Sequence, residues 1–221
     1  MPRRSPATLL QQVTAVLGVT LTLIGCAQAP RAPVPAPPPL PPIERVSVAD
    51  WGGTPGPAPA QPQRITHITL HHQGETWVAG SDVAAYLRRL QQWSRLSKRW
   101  ADIPYHYVIA PDGRIYMARP EAQAGDTNTE YDPRGHALVM VLGNFEDVRP
   151  TAVQLEAVVA LMAQLAATHG IEPATIASHR DYSAQTVCPG AHLYPYVSSG
   201  WLQRAVAARL AGSRELPPLL P

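Results

Sequence analysis

The chain has 221 residues, 45% hydrophobic composition and a formal net charge of +2. That is enough for one buried core with flanking segments, and no basic block gives the footprint of a nucleic-acid binder. The two cysteines, Cys26 and Cys188, lie in contexts too different to read as a disulfide pair.

The N-terminus reads as a targeting segment. Arg3 and Arg4 precede an apolar run, Val16 to Ile24, that is short for a bilayer span. Leu23-Ile24-Gly25-Cys26 resembles the lipobox of bacterial lipoproteins. That resemblance implies a signal peptide over 1–25 and lipid on Cys26. Ala27 follows instead of a retention aspartate, which implies an outer-membrane anchor facing the periplasm. A plain secretory leader cleaved after Ala27 or Ala29 is the alternative. Residues 26–63 then form a lipidated cysteine and a Pro/Ala-rich linker. Twelve of the 25 prolines fall between Pro30 and Pro62, which favours an extended tether over a fold. Ile43, Val46, Val48 and Trp51 interrupt this tract, and the sequence leaves open whether they pack on the domain. With Cys26 lipidated, Cys188 is a lone thiol in an exported protein, and metal ligation would explain it.

From Ile65 to His72 the chain reads as a strand, with His67, Thr69 and His71 on one face and Ile68, Leu70 and His72 on the other. Ser81 is the expected N-cap of a helix to about Trp100, with Val83, Leu87, Leu90, Trp93, Leu96 and Trp100 inward. His106 to Ala110 and Arg114 to Met117 form a hairpin about Pro111-Asp112-Gly113. Glu121 to Gly135 reads as a loop. Ala137 to Leu142, almost wholly apolar, reads as a central strand. Thr151 and Gln154 make a capping box for a helix to about Thr168, ended by Gly170. Thr175 to Ser178 is a short extended piece, Trp201 to Leu210 a last helix, and 213–221 a C-terminal tail. Alternating strands and helices predict an α/β single domain over 64–212, with a central mixed β-sheet flanked by helices.

His71 or His72, together with His179 and Cys188, would supply two imidazoles and a thiol, a donor set suited to zinc, with three protein ligands leaving a position for water. His71 and His72 point to opposite faces of a strand, so one of them serves a given site. His179 and Cys188 lie nine positions apart across a polar turn, which lets both reach one ion. Trp77 is unassigned between packing and sugar stacking, whereas Trp93 is expected in the core.

Four segments in order carry a resemblance. They are Ile68-Thr69-Leu70-His71-His72, Tyr105-His106-Tyr107 leading to Asp112-Gly113, Gly143-Asn144-Phe145, and His179-Arg180 with Thr186-Val187-Cys188-Pro189-Gly190. Over about residues 64 to 212 they resemble the zinc-dependent N-acetylmuramoyl-L-alanine amidases of the phage lysozyme-like and peptidoglycan recognition protein superfamily. The resemblance implies Zn2+ on His71, His179 and Cys188, with a zinc-bound water attacking the amide between N-acetylmuramic acid and L-alanine. It implies catalytic roles for Tyr105, which would orient water or shuttle a proton, and for Thr186, which would hydrogen-bond the oxyanion.

The chain departs from the family at two places. Met140 stands where some branches place a catalytic glutamate, and Thr127 where many carry a loop histidine. Substrate contacts are therefore assigned to Thr127, Asn144 and Arg134, the last facing a peptide carboxylate. The expected partner is peptidoglycan or its muropeptides, with no nucleic acid and a monomeric protein. A zinc-containing peptidoglycan-binding module without hydrolysis is the alternative function.

Overall fold

His136–Val141 is buried at every position. A strand with no polar alternation has no face to offer water, so it must lie in the middle of a sheet covered on both sides. The computed structural model describes residues 39–221. The strands are β1 (Arg45–Val46), β2 (His67–His72), β3 (Tyr107–Ile109), β4 (Ile115–Met117), β5 (His136–Val141) and β6 (Ala177–Ser178). They form one sheet in the order β1-β4-β3-β5-β2-β6. Only the β3–β4 hairpin is antiparallel. The helices are α1 (Val83–Leu96), α2 (Ala152–His169), α3 (His179–Tyr182), α4 (Tyr194–Ser198) and α5 (Trp201–Leu210). This is the expected mixed sheet with flanking helices in a single domain.

The two sheet faces build two cores. On one, Ile68, Leu70, Ile109, Val139 and Val141 pack against α2 and α5. On the other, Val108, Met140 and Tyr116 pack against Val83 and Leu87 of α1, and against Trp51. Helix α2 starts at the Thr151–Gln154 capping box and stops at Gly170, whose φ of 67° ends the helix in the left-handed region. Leu155, Val158, Met162 and Leu165 point inward as the period requires. Each such side chain contributes roughly 1.5–3 kcal/mol on burial.

Helix α1 departs from the expected pattern. Its N-cap is Asp82, which accepts from the Ala85 N–H, and it ends at Leu96. Gln91 and Ser94 are buried while Trp93 and Leu96 are exposed. The buried stripe is rotated because Gln91 is claimed by polar partners. Its amide donates to the Thr54 carbonyl and to Asp102, and accepts from the Thr54 N–H. Trp93 is thus not the core residue that its spacing suggested.

The packed unit is also wider than 64–212. Leu40 and Ile43 pack on the first core, and Trp51 is fully buried in the second with its indole N–H donating to the Met117 carbonyl. Residues 45–46 add the edge strand β1. At the other end Leu216 and Leu220 cover the first core, and the Trp201 indole donates to the Pro218 carbonyl. Proline-rich composition misled the linker boundary, because isolated apolar residues between prolines suffice to pin an extended segment to a sheet edge. Cys26 and the signal-like segment lie outside the described residues.

Candidate metal centre and active-site cavity

His71 is the fifth residue of β2 and pairs in register with Met140, on the face that carries α1. Strand β6 pairs with β2 at Thr69↔Ala177 and Leu70↔Ser178. The chain therefore leaves the sheet beside His71, and the next residue is His179. Asp181 accepts from the Ser178 N–H at 2.8 Å and from its hydroxyl at 2.6 Å, fixing the first turn of α3. Cys188 is pinned from both sides. Its N–H donates to the Thr186 hydroxyl at 3.1 Å, and its carbonyl accepts from the Arg180 N–H at 2.9 Å. Gly190 lets this turn close, since at φ 96° a Cβ there would lie 2.5 Å from the Phe145 carbonyl carbon.

These constraints bring His71, His179 and Cys188 together, with one donor atom of each within 4.8 Å of the others. Cys188 Sγ lies 3.7 Å from His71 Nδ1 and accepts from the His72 N–H at 3.3 Å. The imidazole rings of His71 and His179 are 4.7 Å apart. His71 Nε2 is buried without a hydrogen-bond partner, an arrangement that costs stability unless something else meets the ring. Burial holds the His71 imidazole well below its ordinary pKa, aided by the neighbouring His179. Burial likewise lowers His179 to about 4, against a weaker opposing pull from Glu130. Both rings are thus neutral near pH 7 and offer lone pairs. Burial pushes the Cys188 thiol up to about 12, so a cation must be present for it to act as a thiolate. Two neutral imidazoles, one thiol and an orphaned ring nitrogen fit a zinc site.

The cluster opens into a cavity of about 380 Å³. Tyr105, Thr127 and Thr186 line it, and the Tyr105 ring sits 5.2 Å from the His71 ring. Burial raises the Tyr105 phenol well above its ordinary value, so it is a proton donor in hydrogen bonds. An adjoining groove of about 510 Å³ shares Trp100, Asp126 and Thr127 with the cavity and holds the exposed Arg134. Asn144 is not in either. It lines a separate apolar pocket with Trp77 and Phe145, where its amide donates to Asp147 at 2.7 Å and its oxygen accepts from the Glu146 N–H. That is a turn role, taken up because the chain leaves the sheet two residues after Val141.

Several contributors escaped the sequence reading. Thr129 Oγ1 lies 2.8 Å from His179 Nε2. The loop carrying Thr127 and Thr129 hangs from Arg119, which is 3% exposed and donates to Asp126 and to the Ala124, Asp102 and Ile103 carbonyls. An arginine after a short strand gives no sequence sign of such burial. His72 lies at the cavity rim, its Nδ1 accepting from the Phe145 N–H. His67 stacks on His136 at 4.6 Å, a structural pair.

The family model for N-acetylmuramoyl-L-alanine amidase matches residues 61–191. The chain belongs to this amidase family. The match spans His71, His179 and Cys188 together with the whole loop wall. Peptidoglycan-recognition protein LB of Drosophila melanogaster is 28% identical over 165 residues, covering 70% of this chain and 67% of that protein. The crystal structure of Drosophila peptidoglycan recognition protein SD is 27% identical, with a TM-score of 0.60 over 69% of this chain and 91% of that one. A structure of tracheal cytotoxin bound to the ectodomain complex of peptidoglycan recognition proteins LCa and LCx is 28% identical. It has a TM-score of 0.59 and covers 68% of this chain and 92% of that one. A protein named N-acetylmuramoyl-L-alanine amidase from Homo sapiens is 27% identical over 143 residues, covering 61% of this chain and 24% of that protein, so proteins named as amidases and proteins named for peptidoglycan recognition are both among this chain's relatives.

Proposed function

We propose that the protein is a zinc-dependent amidase that cuts the bond between N-acetylmuramic acid and L-alanine in peptidoglycan or its muropeptides. The convergence of His71, His179 and Cys188 at the floor of an open cavity carries this reading. Family membership and a relative that binds tracheal cytotoxin support it. Zinc held there would polarise the scissile carbonyl and lower the pKa of a water.

The chain's own residues then have distinct tasks. Tyr105, held neutral, donates its hydroxyl hydrogen to orient the attacking water and is too weak a base to remove its proton. Thr186 accepts from the Cys188 N–H, which leaves its hydroxyl hydrogen free to aim at the developing oxyanion. Asp126 and Thr127, shared by cavity and groove, bound the path along which the stem peptide leaves the cut bond. Arg134 in the groove offers a cation to a peptide carboxylate.

Peptidoglycan incubated with the protein, with and without a zinc chelator, tests this by mass spectrometry. Free stem peptides beginning with L-alanine, lost on chelation and restored by zinc, are expected. Uncut glycopeptides from zinc-loaded protein would leave a peptidoglycan-binding module instead. The proposal extends to location: lipid on Cys26 would hold a monomer on the outer membrane facing the periplasm. Cys26→Ala should move the protein from the membrane to the soluble fraction, and a membrane-bound variant would overturn that placement.

A further inference from the structure

Between Val83 and Trp100 the chain holds five cations, Arg88, Arg89, Arg95, Lys98 and Arg99, and no acid. That leaves 13 of its 18 cations against 16 acids everywhere else, so positive charge is concentrated on α1 and the turn after it. Arg95 turns to the body of the domain, where it donates to the Thr54 carbonyl and pairs with the buried Asp102 at 3.0 Å. Arg99 lines the groove beside the cavity. Arg88, Arg89 and Lys98 remain exposed, and against them stands the N-cap Asp82, 4.0 Å from Arg88. The same face carries apolar surface that the core does not use, with Trp93 44% and Leu96 68% exposed. By the helical period Leu96 lies between Gln92 and Arg89, with Arg88 and Trp93 to either side, opposite the buried Val83, Leu87, Gln91 and Ser94. A hollow of about 330 Å³ opens there, lined by Arg88, Gln92, Leu96 and Thr54. Arg88 is held at it by donating to the Trp51 carbonyl at 2.8 Å. The hollow shares no lining residue with the metal cavity or its groove.

We propose that this outer face of α1 docks on an anionic lipid bilayer, with a lipid phosphate seated in the hollow at Arg88. A helix face with cations around an exposed leucine and tryptophan matches the layered chemistry of a bilayer surface. The cations meet headgroup phosphates, the indole sits at the interface, and the leucine reaches the acyl boundary. An acidic polymer would use the cations but leave Leu96 in water. An apolar protein surface would cover Leu96 but strand Arg88 and Arg89 without partners. Lys98 also donates to Asn128 Oδ1 at 2.9 Å, and Asn128 lines the metal cavity, so docking sets the cavity beside the bilayer surface. The docking face rests on neither the amidase reading nor lipid on Cys26.

Lys98 is the only lysine in the chain, so acylation of its amine, mapped by mass spectrometry, reports on this face. The full-length protein is mixed with vesicles of phosphatidylcholine alone, or of phosphatidylcholine with phosphatidylglycerol. Slower acylation of Lys98 on the phosphatidylglycerol vesicles only, with the protection lost at high salt, is the expected result. Arg89→Gln should raise the anionic lipid concentration needed for half protection about fivefold. Leu96→Gln should raise it by a similar factor through lost apolar contact. Both are surface changes, so the thermal midpoint should hold. Equal protection on neutral vesicles would trace it to the N-terminal segment and overturn the docking face, as would unchanged protection in both variants. Protection by soluble dextran sulfate but by neither vesicle would make the face an acidic-polymer site and overturn bilayer docking.

Discussion

The cavity has two walls built by opposite means. The candidate metal corner is made by strand register and tight turns: His71 sits near the end of β2, one strand in from the sheet edge, His179 follows the edge strand that pairs with it, and Cys188 is clasped through its own N–H and carbonyl. The opposite wall, residues 121–135, has no regular structure and hangs from side chains. Arg119 grips its first half, and His106 accepts from the Leu138 N–H through Nδ1 and meets the Gln123 carbonyl through Nε2 at 2.9 Å. The corner is held by backbone geometry close to its donors, whereas the wall depends on two buried polar residues outside the cavity. Damage to the first should abolish chemistry and leave the fold. Damage to the second should cost stability and reshape the groove.

The largest effect should come from the corner. Cys188→Ser removes the thiol while keeping the turn, because the Cys188 N–H and carbonyl make its contacts with Thr186 and Arg180. Zinc content by mass spectrometry and amidase activity should both fall to background, with the thermal midpoint of the metal-free protein little changed. A variant that retains full zinc would contradict the ligand set. Arg119→Met strikes the wall instead. It leaves Asp126 and three carbonyls without their donor, and breaking such a buried arrangement costs about 3–5 kcal/mol. Urea unfolding measures this loss, and zinc affinity should survive it far better than stability does.

The same contrast governs what the sequence disclosed. The corner was legible because its residue types are chemically rare and stand in short recognisable segments far apart in the chain: a strand-end histidine, a second histidine after an extended segment, and a cysteine in a Thr-Val-Cys-Pro-Gly turn, with the family resemblance choosing His71 over His72. The central strand and α2 were legible because burial imposes composition and period. The wall was not, since Arg119 and Asp126 are ordinary polar residues whose burial arises only when the hairpin and loop meet. Nor was the rotation of α1, where Gln91 displaced Trp93 from the core through contacts with Thr54 and Asp102, partners on separate segments. The extension over 39–54 was hidden by its prolines, although Trp51 was a residue with reason to be buried.

Acid should act on the wall through His106. Burial lowers its pKa from 6.5 to about 4, the Gln123 carbonyl opposing this, with Arg119 adding to the fall and Glu121 resisting it. Its neutral form is the one that fits, since Nδ1 must accept from Leu138. The unfolded chain takes up this proton first as the pH drops below 6.5. Stability is therefore full above that value and declines toward pH 4, by about 3 kcal/mol from this residue alone. Urea midpoints across that range should fall more steeply in the parent than in His106→Gln, whose amide can accept from Leu138 and donate to Gln123. Parallel slopes would show that the wall is not hung from this imidazole.

Smaller effects mark where the two walls touch and where they do not. Thr129→Val removes the hydroxyl 2.8 Å from His179 Nε2 and leaves the loop's anchors intact. Because a group bonded to a ligating imidazole orients it, zinc affinity in a metal-buffer competition should drop about tenfold, with urea stability almost unchanged. Asn144→Ala should do less. Its amide serves the turn after β5 and lines a pocket apart from the cavity, so about 1 kcal/mol of stability is at stake and kcat/KM should hold. A selective loss of peptidoglycan turnover in Asn144→Ala, with stability intact, would mean that substrate reaches across the end of β5. The working surface would then extend over both faces of the sheet instead of lying between the corner and the wall.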